Sequence, residues 1–281
     1  MYRKSYFDFE KIPPHLRLGE EKIKEILRKK IKEIRDYFKK SGFKKAVVGV
    51  SGGLDSAVAA VLAISALGPR NVYLVRLPYL GISSENSLKD AKKLAENLKI
   101  PKRNLITILI NKPVDASWKI LKKFRNGNQK IRKGNLMARE RMKILFDLSS
   151  ALNAIVMGTE DRTEEVLGYY TLWGDQASGI EPIKNLWKTQ VYQLASHLKE
   201  IPNEILMKAP SPGLWKGQKA EKELGVDYLE ADIVLSAKRD LKMTENEILK
   251  KFKIPKRKIK KILERAKIGQ IKSSLPYQLK N

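Results

Sequence analysis

Between Lys44 and Val61 the chain reads strand, glycine loop, helix, and no other stretch limits the possible folds as much. Ala46, Val47, Val48 and Val50 form a short β-branched apolar run, the pattern of a strand buried in a parallel sheet. Ser51-Gly52-Gly53-Leu54-Asp55-Ser56 follows at once, and Ala57 to Ala63 then read as a buried helix. A glycine loop at a helix start leaves N–H groups unpaired, with the positive end of the helix dipole behind them. Ser51 and Ser56 add hydroxyl donors. This is an anion site, and phosphate is the anion expected. Asp55 would repel a bare phosphate, so its presence implies a bridging Mg²⁺.

No Gly-Lys-Ser/Thr closes the loop, so it is not a Walker motif. It resembles the PP-loop, SGGxDS, of the ATP pyrophosphatases, which cleave ATP between its α and β phosphates. A purely structural strand-to-helix turn is the plain alternative, and it leaves Asp55 and the two serines without a purpose.

Downstream, Val72 to Leu77 reads as a second strand and Ile106 to Ile110 as a third. Ser83 or Ser84 can cap a helix running to about Leu98, and Val114 to Phe124 reads as another. Gln129 to Gly134 reads as a basic loop, Asn135 to Ala151 as a helix, and Ala154 to Met157 as a fourth strand. This alternation predicts an α/β fold, a parallel sheet with helices on both faces, whose ligands bind beyond the carboxyl ends of the strands. Ahead of it, Glu20 to Lys40 is an amphipathic helix with Ile23, Ile26, Leu27, Ile31, Ile34, Tyr37 and Phe38 on one stripe. Past Gly158 come a short helix at Asp161–Tyr169, a loop at Gly174–Gly179 and a helix at Leu186–Lys199. The Pro- and Gly-rich stretch from Glu204 to Gly225 reads as irregular and mobile. Helices near Leu229–Leu241 and Pro255–Lys267 and a short polar tail from Gly269 complete the chain.

At 281 residues the chain suggests one large domain with appendages: an N-terminal helix over 1–42, a core over 43–200, and a mobile segment with C-terminal helices over 201–281. No run is long enough to span a bilayer and the N-terminus lacks a signal-peptide apolar core, so a cytoplasmic protein without membrane attachment is expected. There is no cysteine, which excludes disulfides, thiolate metal sites and a cysteine nucleophile. The formal net charge of +26 raises nucleic-acid binding, but the charge is spread over many helices with few aromatics between. A solvated Lys/Glu surface is the preferred reading, and nucleic acid is not the expected partner.

Gly158-Thr159-Glu160-Asp161-Arg162-Thr163-Glu164-Glu165 follows the fourth strand and so lies at the same sheet edge as the glycine loop. Its acidic residues either complete a Mg²⁺ site with Asp55 or serve as an N-cap and first helical turn. Taken with other segments the match becomes specific. Gly49 to Ser56, Arg76-Leu77-Pro78-Tyr79, Ala138-Arg139-Glu140-Arg141-Met142-Lys143, Gly158-Thr159 with Glu164 and Gly168-Tyr169, Lys188-Thr189-Gln190-Val191 and Ala209-Pro210-Ser211 with Leu214-Trp215 and Gly217-Gln218 stand in the order found in the NAD synthetases. The chain resembles that family from Lys44 to Asp227, in its ammonia-dependent form.

The resemblance implies an adenine-nucleotide hydrolase-like (Rossmann-like) core and a two-step reaction. ATP adenylates the carboxylate of deamido-NAD, releasing pyrophosphate, and ammonia then displaces AMP to give NAD. It implies that Gly49, Val50, Ser51, Gly52, Gly53, Leu54, Asp55, Ser56, Arg76, Thr159, Lys188 and Ser211 bind ATP. Asp55 and Glu164 would hold Mg²⁺, while Arg139, Tyr170 and Lys272 would hold the dinucleotide. Lys188 would offset charge on the departing pyrophosphate, and Asp175 is the candidate to bind ammonium and take its proton. It also implies a homodimer, with the Glu20–Lys40 helix at the interface. Because a reactive anhydride must be shielded from water, the irregular Pro210 to Gly225 is expected to be a lid over it, with Trp215 as its anchor. The chain departs from the family pattern at Leu172, Gln176, Gly179 and Ile271, all at the pyridine-nucleotide end. Without a cysteine or a further domain, a glutaminase activity is not expected, and ammonia comes from solution or another protein. Two rivals are a tRNA-modifying ATP pyrophosphatase, which the basicity favours, and a nucleotide-binding module without catalysis. The missing cysteine and the ARERMK and KTQV segments weigh against the first, and the Asp55–Glu164 pair against the second.

Overall fold

The computed structural model describes residues 2–279. In chain order its elements are α1 (Glu20–Ser41), β1 (Lys45–Gly49), α2 (Leu54–Leu67), β2 (Val72–Arg76), α3 (Glu85–Asn97), β3 (Leu105–Thr107), α4 (Asn111–Leu121), α5 (Gln129–Leu152) and β4 (Ala154–Met157). They continue as α6 (Arg162–Leu167), α7 (Lys188–Ala195), α8 (Asn203–Leu206), α9 (Ala220–Leu224), α10 (Tyr228–Arg239), α11 (Glu245–Phe252) and α12 (Lys256–Ser273). The four strands are all parallel, in the order β3-β2-β1-β4.

Alternation along β1 explains the layers. Ala46 and Val48 belong to the larger apolar cluster, with α2, α7 and α10, whereas Val47 belongs to a second cluster with Val114 of α4 and Met137 of α5. All three are fully buried, each worth about 1–3 kcal/mol in water-excluded area. Helix α2 is apolar all round, as a helix enclosed between the sheet and α1 must be. The expected sheet with helices on both faces is present.

The connection from β1 runs out to β2 and β3, and β4 then returns to the other side of β1. The order therefore reverses between β1 and β4, and the loops leaving these two strands start side by side at their carboxyl ends, where sheets of this kind bind their ligands. No helix among the described residues is long and apolar enough to cross a membrane.

Several local expectations are revised. β3 ends at Thr107 rather than Ile110, because its partner strand runs into Pro78, which has no N–H to extend the ladder. The loop expected at Gln129–Gly134 is the first part of α5, started by Asn128, whose side chain accepts from the N–H groups of Lys130 and Ile131. A helix not expected, α11, begins at a capping box of Thr244 and Glu247. The polar tail from Gly269 is helical to Ser273. Gly269 lets α12 touch α6, since a Cβ there would lie 2.1 Å from the Val166 carbonyl oxygen. Of the α1 stripe, Ile23, Ile34 and Phe38 are buried within the chain and Ile26, Leu27 and Ile31 pack against the same cluster, while Tyr37 is exposed.

Candidate active site

The phosphate-facing loop is held from inside. Ser56 Oγ donates to the Gly53 carbonyl at 3.0 Å and lies 3.2 Å from Ser51 Oγ, and Gly53 N–H donates to Ser51 Oγ at 3.2 Å. Gly52 has φ +76°, and a Cβ on it would sit 2.2 Å from the Ser87 carbonyl oxygen, so only glycine fits. Gly49 and Val50 lead from β1 into this loop, and Leu54 opens α2.

Asp55, in the first turn of α2, faces the segment that follows β4. Lys188 Nζ is 3.0 Å from Asp55 Oδ2 and 3.0 Å from Glu164 Oε1, and it also pairs with Asp161. Asp161 is fully buried, and its other oxygen accepts the Glu164 N–H at 2.9 Å, capping α6. Asp55, Asp161 and Glu164 offer carboxylate oxygens within 4.8 Å of one another. Burial and the crowding of three carboxylates raise the Glu164 carboxyl well above its ordinary range and raise Asp161 as well. Burial lowers the Lys188 ammonium and the three carboxylates raise it, and the carboxylates prevail, so Lys188 keeps its proton. Asp55, Glu164 and Lys188 thus meet beside the glycine loop. Asp161 was recognised only as part of an acidic stretch, and its Asp-x-x-Glu spacing was the signal for a cap.

The root of Lys188 is fixed by a network that sequence patterns do not show. Thr163 Oγ1 accepts the Lys188 N–H at 2.8 Å and donates to Asp232 Oδ1 at 2.6 Å. Asp232 Oδ2 accepts both the N–H and the hydroxyl of Thr189 at 2.7 Å. Asp232 comes from α10, so three helices converge there.

The other candidates gather around the turn after α6. Lys272 Nζ, on α12, donates to the carbonyls of Gly168 and Tyr170 and lies 4.0 Å from the centre of the Tyr170 ring. Arg139 Nε donates to the Leu172 carbonyl at 3.2 Å, and Asp175 Oδ1 accepts the Thr171 N–H at 2.9 Å. Asp175 is accessible at the surface, and desolvation by the chain packed around its carboxyl raises it above its ordinary value. Beside them Glu160, Glu181 and Lys184 form a second buried charge group, with Lys184 Nζ 3.2 Å from Glu160 Oε2; desolvation pushes Glu160 up to about 8 and Glu181 to about 7. Thr159 follows β4 at the same edge, half-buried. Arg76, at the end of β2, donates to Thr107 Oγ1 at 3.0 Å, and no bond joins it to the glycine loop. Ser211 lies in the Pro/Gly-rich segment, where its Oγ donates to the Gln218 carbonyl at 2.8 Å. The same segment sets Leu214 against Gly134, where a Cβ would approach to 2.9 Å.

Sheet order and glycine loop define a Rossmann-like α/β protein of the PP-loop kind. The chain belongs to the NAD synthase family, whose model matches residues 26–276. It is 45% identical over 227 residues to the NH(3)-dependent NAD(+) synthetase of Fusobacterium nucleatum, covering 81% of this chain and 84% of that one. It is 37% identical over 248 residues to that of Pyrococcus horikoshii, covering 88% and 93%. Among solved structures it is similar to NMN synthetase from Francisella tularensis, with TM-score 0.79, 33% identity and coverage of 92% of this chain and 99% of that one. It is also similar to the NH3-dependent NAD synthetase from Campylobacter jejuni, with TM-score 0.73, 29% identity and the same coverage. These matches favour neither a tRNA-modifying enzyme nor a non-catalytic module.

Proposed function

We propose that this chain amidates deamido-NAD to NAD with ATP and ammonia. The observation that carries this reading is the meeting of Asp55, Asp161, Glu164 and Lys188 beside the glycine loop, in a chain of the NAD synthase family. The substrate carboxylate is a poor electrophile, and adenylation gives it a good leaving group. Its oxygen attacks the α-phosphorus, the α–β phosphoanhydride breaks and pyrophosphate leaves. Ammonia then attacks the acyl carbon, gives up a proton and expels AMP.

For the first step the chain needs chiefly to position phosphates and balance their charge. Ser51, Gly53 and Ser56 supply donors, Val50, Thr159 and Ser211 line the nucleotide path, and Lys188 supplies a buried positive charge. Asp55, Asp161 and Glu164 suit Mg²⁺: they are hard oxygen donors, and Asp55 Oδ1 has no hydrogen-bond partner among the described residues. When bound, Mg²⁺ would offset phosphate charge. For the second step, Asp175 is solvent-accessible with its Oδ1 held by the Thr171 N–H, open to bind ammonium and take its proton. Arg139, Tyr170 and Lys272 would hold the pyridine nucleotide, with 210–225 as a lid that shields the reactive anhydride from water.

One observation favours a second reading. The departures at Leu172, Gln176 and Gly179 fall at the pyridine end, and one similar structure is an NMN synthetase. A nicotinic acid mononucleotide is therefore the alternative carboxylate. Purified protein with Mg-ATP, ammonium and either substrate, assayed for amide product, AMP and pyrophosphate, decides between them. Turnover of neither substrate sinks the function, and glutamine alone should support none.

A two-fold dimer and a cytoplasmic setting, where ATP is supplied, belong to the same reading. With most of the α1 stripe packed internally, Ile120, Phe124 and Ile131 around the α4–α5 turn are among the exposed apolar side chains that a second copy would cover. Light scattering at micromolar concentration should give twice the chain mass, and Phe124→Glu should return a monomer.

A further inference from the structure

The Gly52–Gly53 peptide is the one bond of the phosphate-facing loop flanked on both sides by glycine. No side chain on either residue resists rotation of its plane. In a trans peptide the carbonyl and the following N–H point in opposite directions. Gly53 N–H donates inward, to Ser51 Oγ at 3.2 Å, and that hydroxyl lies 3.2 Å from Ser56 Oγ. The Gly52 carbonyl therefore points away from the hydroxyl side of the loop, and Lys208 Nζ donates to it at 2.7 Å.

Lys208 is anchored at both ends. Its ammonium also pairs with Asp90 and lies 3.4 Å from Ser87 Oγ, both on α3. Its own carbonyl accepts from the hydroxyl of Tyr192 at 2.8 Å. Tyr192 is buried in the core, edge-on to Phe7 with ring centres 4.8 Å apart. Lys208 also stands directly before Ala209-Pro210-Ser211, where the proposed lid begins.

We propose that Lys208 is a positioning residue for ATP: it holds the Gly52 carbonyl on the far side of the loop from the Ser51 and Ser56 hydroxyls, keeps Gly53 N–H on their side, and ties the loop to the root of the lid. A rotated peptide would aim a carbonyl oxygen, the negative end of its dipole, at the phosphates. Asp90 balances the Lys208 charge, so Lys208 acts through the orientation of the peptide more than through its field. The inference rests on the ATP-binding reading above.

The test is calorimetric titration of wild-type protein, Lys208→Met and Asp90→Asn with Mg-ATP, alongside their thermal midpoints. Losing a hydrogen bond from a charged donor, Lys208→Met should weaken ATP binding about ten- to hundredfold, with the KM for the pyridine nucleotide within about threefold of wild type. Asp90→Asn leaves the Gly52 contact in place and should bind ATP within about threefold of wild type, whatever its midpoint. If Lys208→Met does not fold, Lys208→Gln, whose shorter amide falls short of the carbonyl, is titrated in its place. Unchanged ATP affinity in the Lys208 variant, or an equal loss in Asp90→Asn, overturns the proposal: the residue would then be structural only. Failure of wild-type protein to bind ATP would remove the reading underneath, and is told apart because it needs no variant.

Discussion

Lys188 Nζ lies 3.0 Å from Asp55 Oδ2, and each residue stands in the first turn of its helix, α7 for Lys188 and α2 for Asp55. A carboxylate suits a helix start and an ammonium does not, because both N-termini carry partial positive charge. Lys188 is only 1% exposed in that unfavourable position, so the carboxylates of Asp55, Asp161 and Glu164 must hold it there. Removing the ammonium alone leaves three crowded carboxylates. Lys188→Met should therefore destabilise the protein by about 3–5 kcal/mol at neutral pH. Asp161 and Glu164 already titrate above their ordinary values, so without Lys188 the folded state binds more protons than the unfolded chain. The loss should shrink as pH falls. Urea midpoints at pH 5 and pH 8 check this, and a pH-independent deficit would contradict it.

Asp55→Asn keeps the shape of the side chain and removes its charge. Turnover should fall by about two orders of magnitude or more, with circular dichroism unchanged. Asp161→Asn should raise the Mg²⁺ concentration needed for half-maximal ATP binding by about tenfold, read by titrating binding rather than turnover. Near-normal pyrophosphate release by Asp55→Asn would sink the metal assignment.

Leu214 seats on Gly134, one turn into α5, where a Cβ would come within 2.9 Å. Gly134→Val should prop this contact open. Proteolysis within 210–219 should then be fast with or without ATP and substrate, whereas in wild type the ligands should slow it. Equal protection in both proteins would rule out this seat as the closed position of the lid.

Lys30 on α1 is buried, its Nζ donating to the Pro182 carbonyl and, at 2.6 Å, to Asn185 Oδ1. Burial lowers its pKa from 10.5 to about 8. Between those values the unfolded chain holds a proton that the folded chain has lost, so this group's contribution to stability rises with pH. Compared with Lys30→Met, wild-type protein should gain up to about 3 kcal/mol between pH 8 and pH 10.5. Parallel stability curves for the two proteins across that range would show that Lys30 stays charged.

What could be read from the chain alone is what neighbours in sequence determine. The run Ala46–Val50, the glycines at 52 and 53 and the apolar helix after them specify a buried parallel strand, a phosphate loop and the helix behind it, through φ/ψ freedom and burial within a few residues. Asp55 and Glu164 could be singled out because they lie in recognisable motifs at strand ends. Asn128 marks the start of α5 locally, whereas Gly134 has its place inside the helix because Leu214, distant in sequence, occupies the space a side chain would need.

The tertiary structure alone decided the strand order that sets β4 beside β1 and so brings Asp161, Glu164 and Lys188 to Asp55. It also decided that Asp232 holds the root of Lys188, that Lys208 meets the Gly52 carbonyl, and that most of the α1 stripe packs inside the chain. Those partners are charged or polar groups far apart along the chain. No periodicity links them, and each pays its desolvation only because packing of the whole domain delivers the matching group.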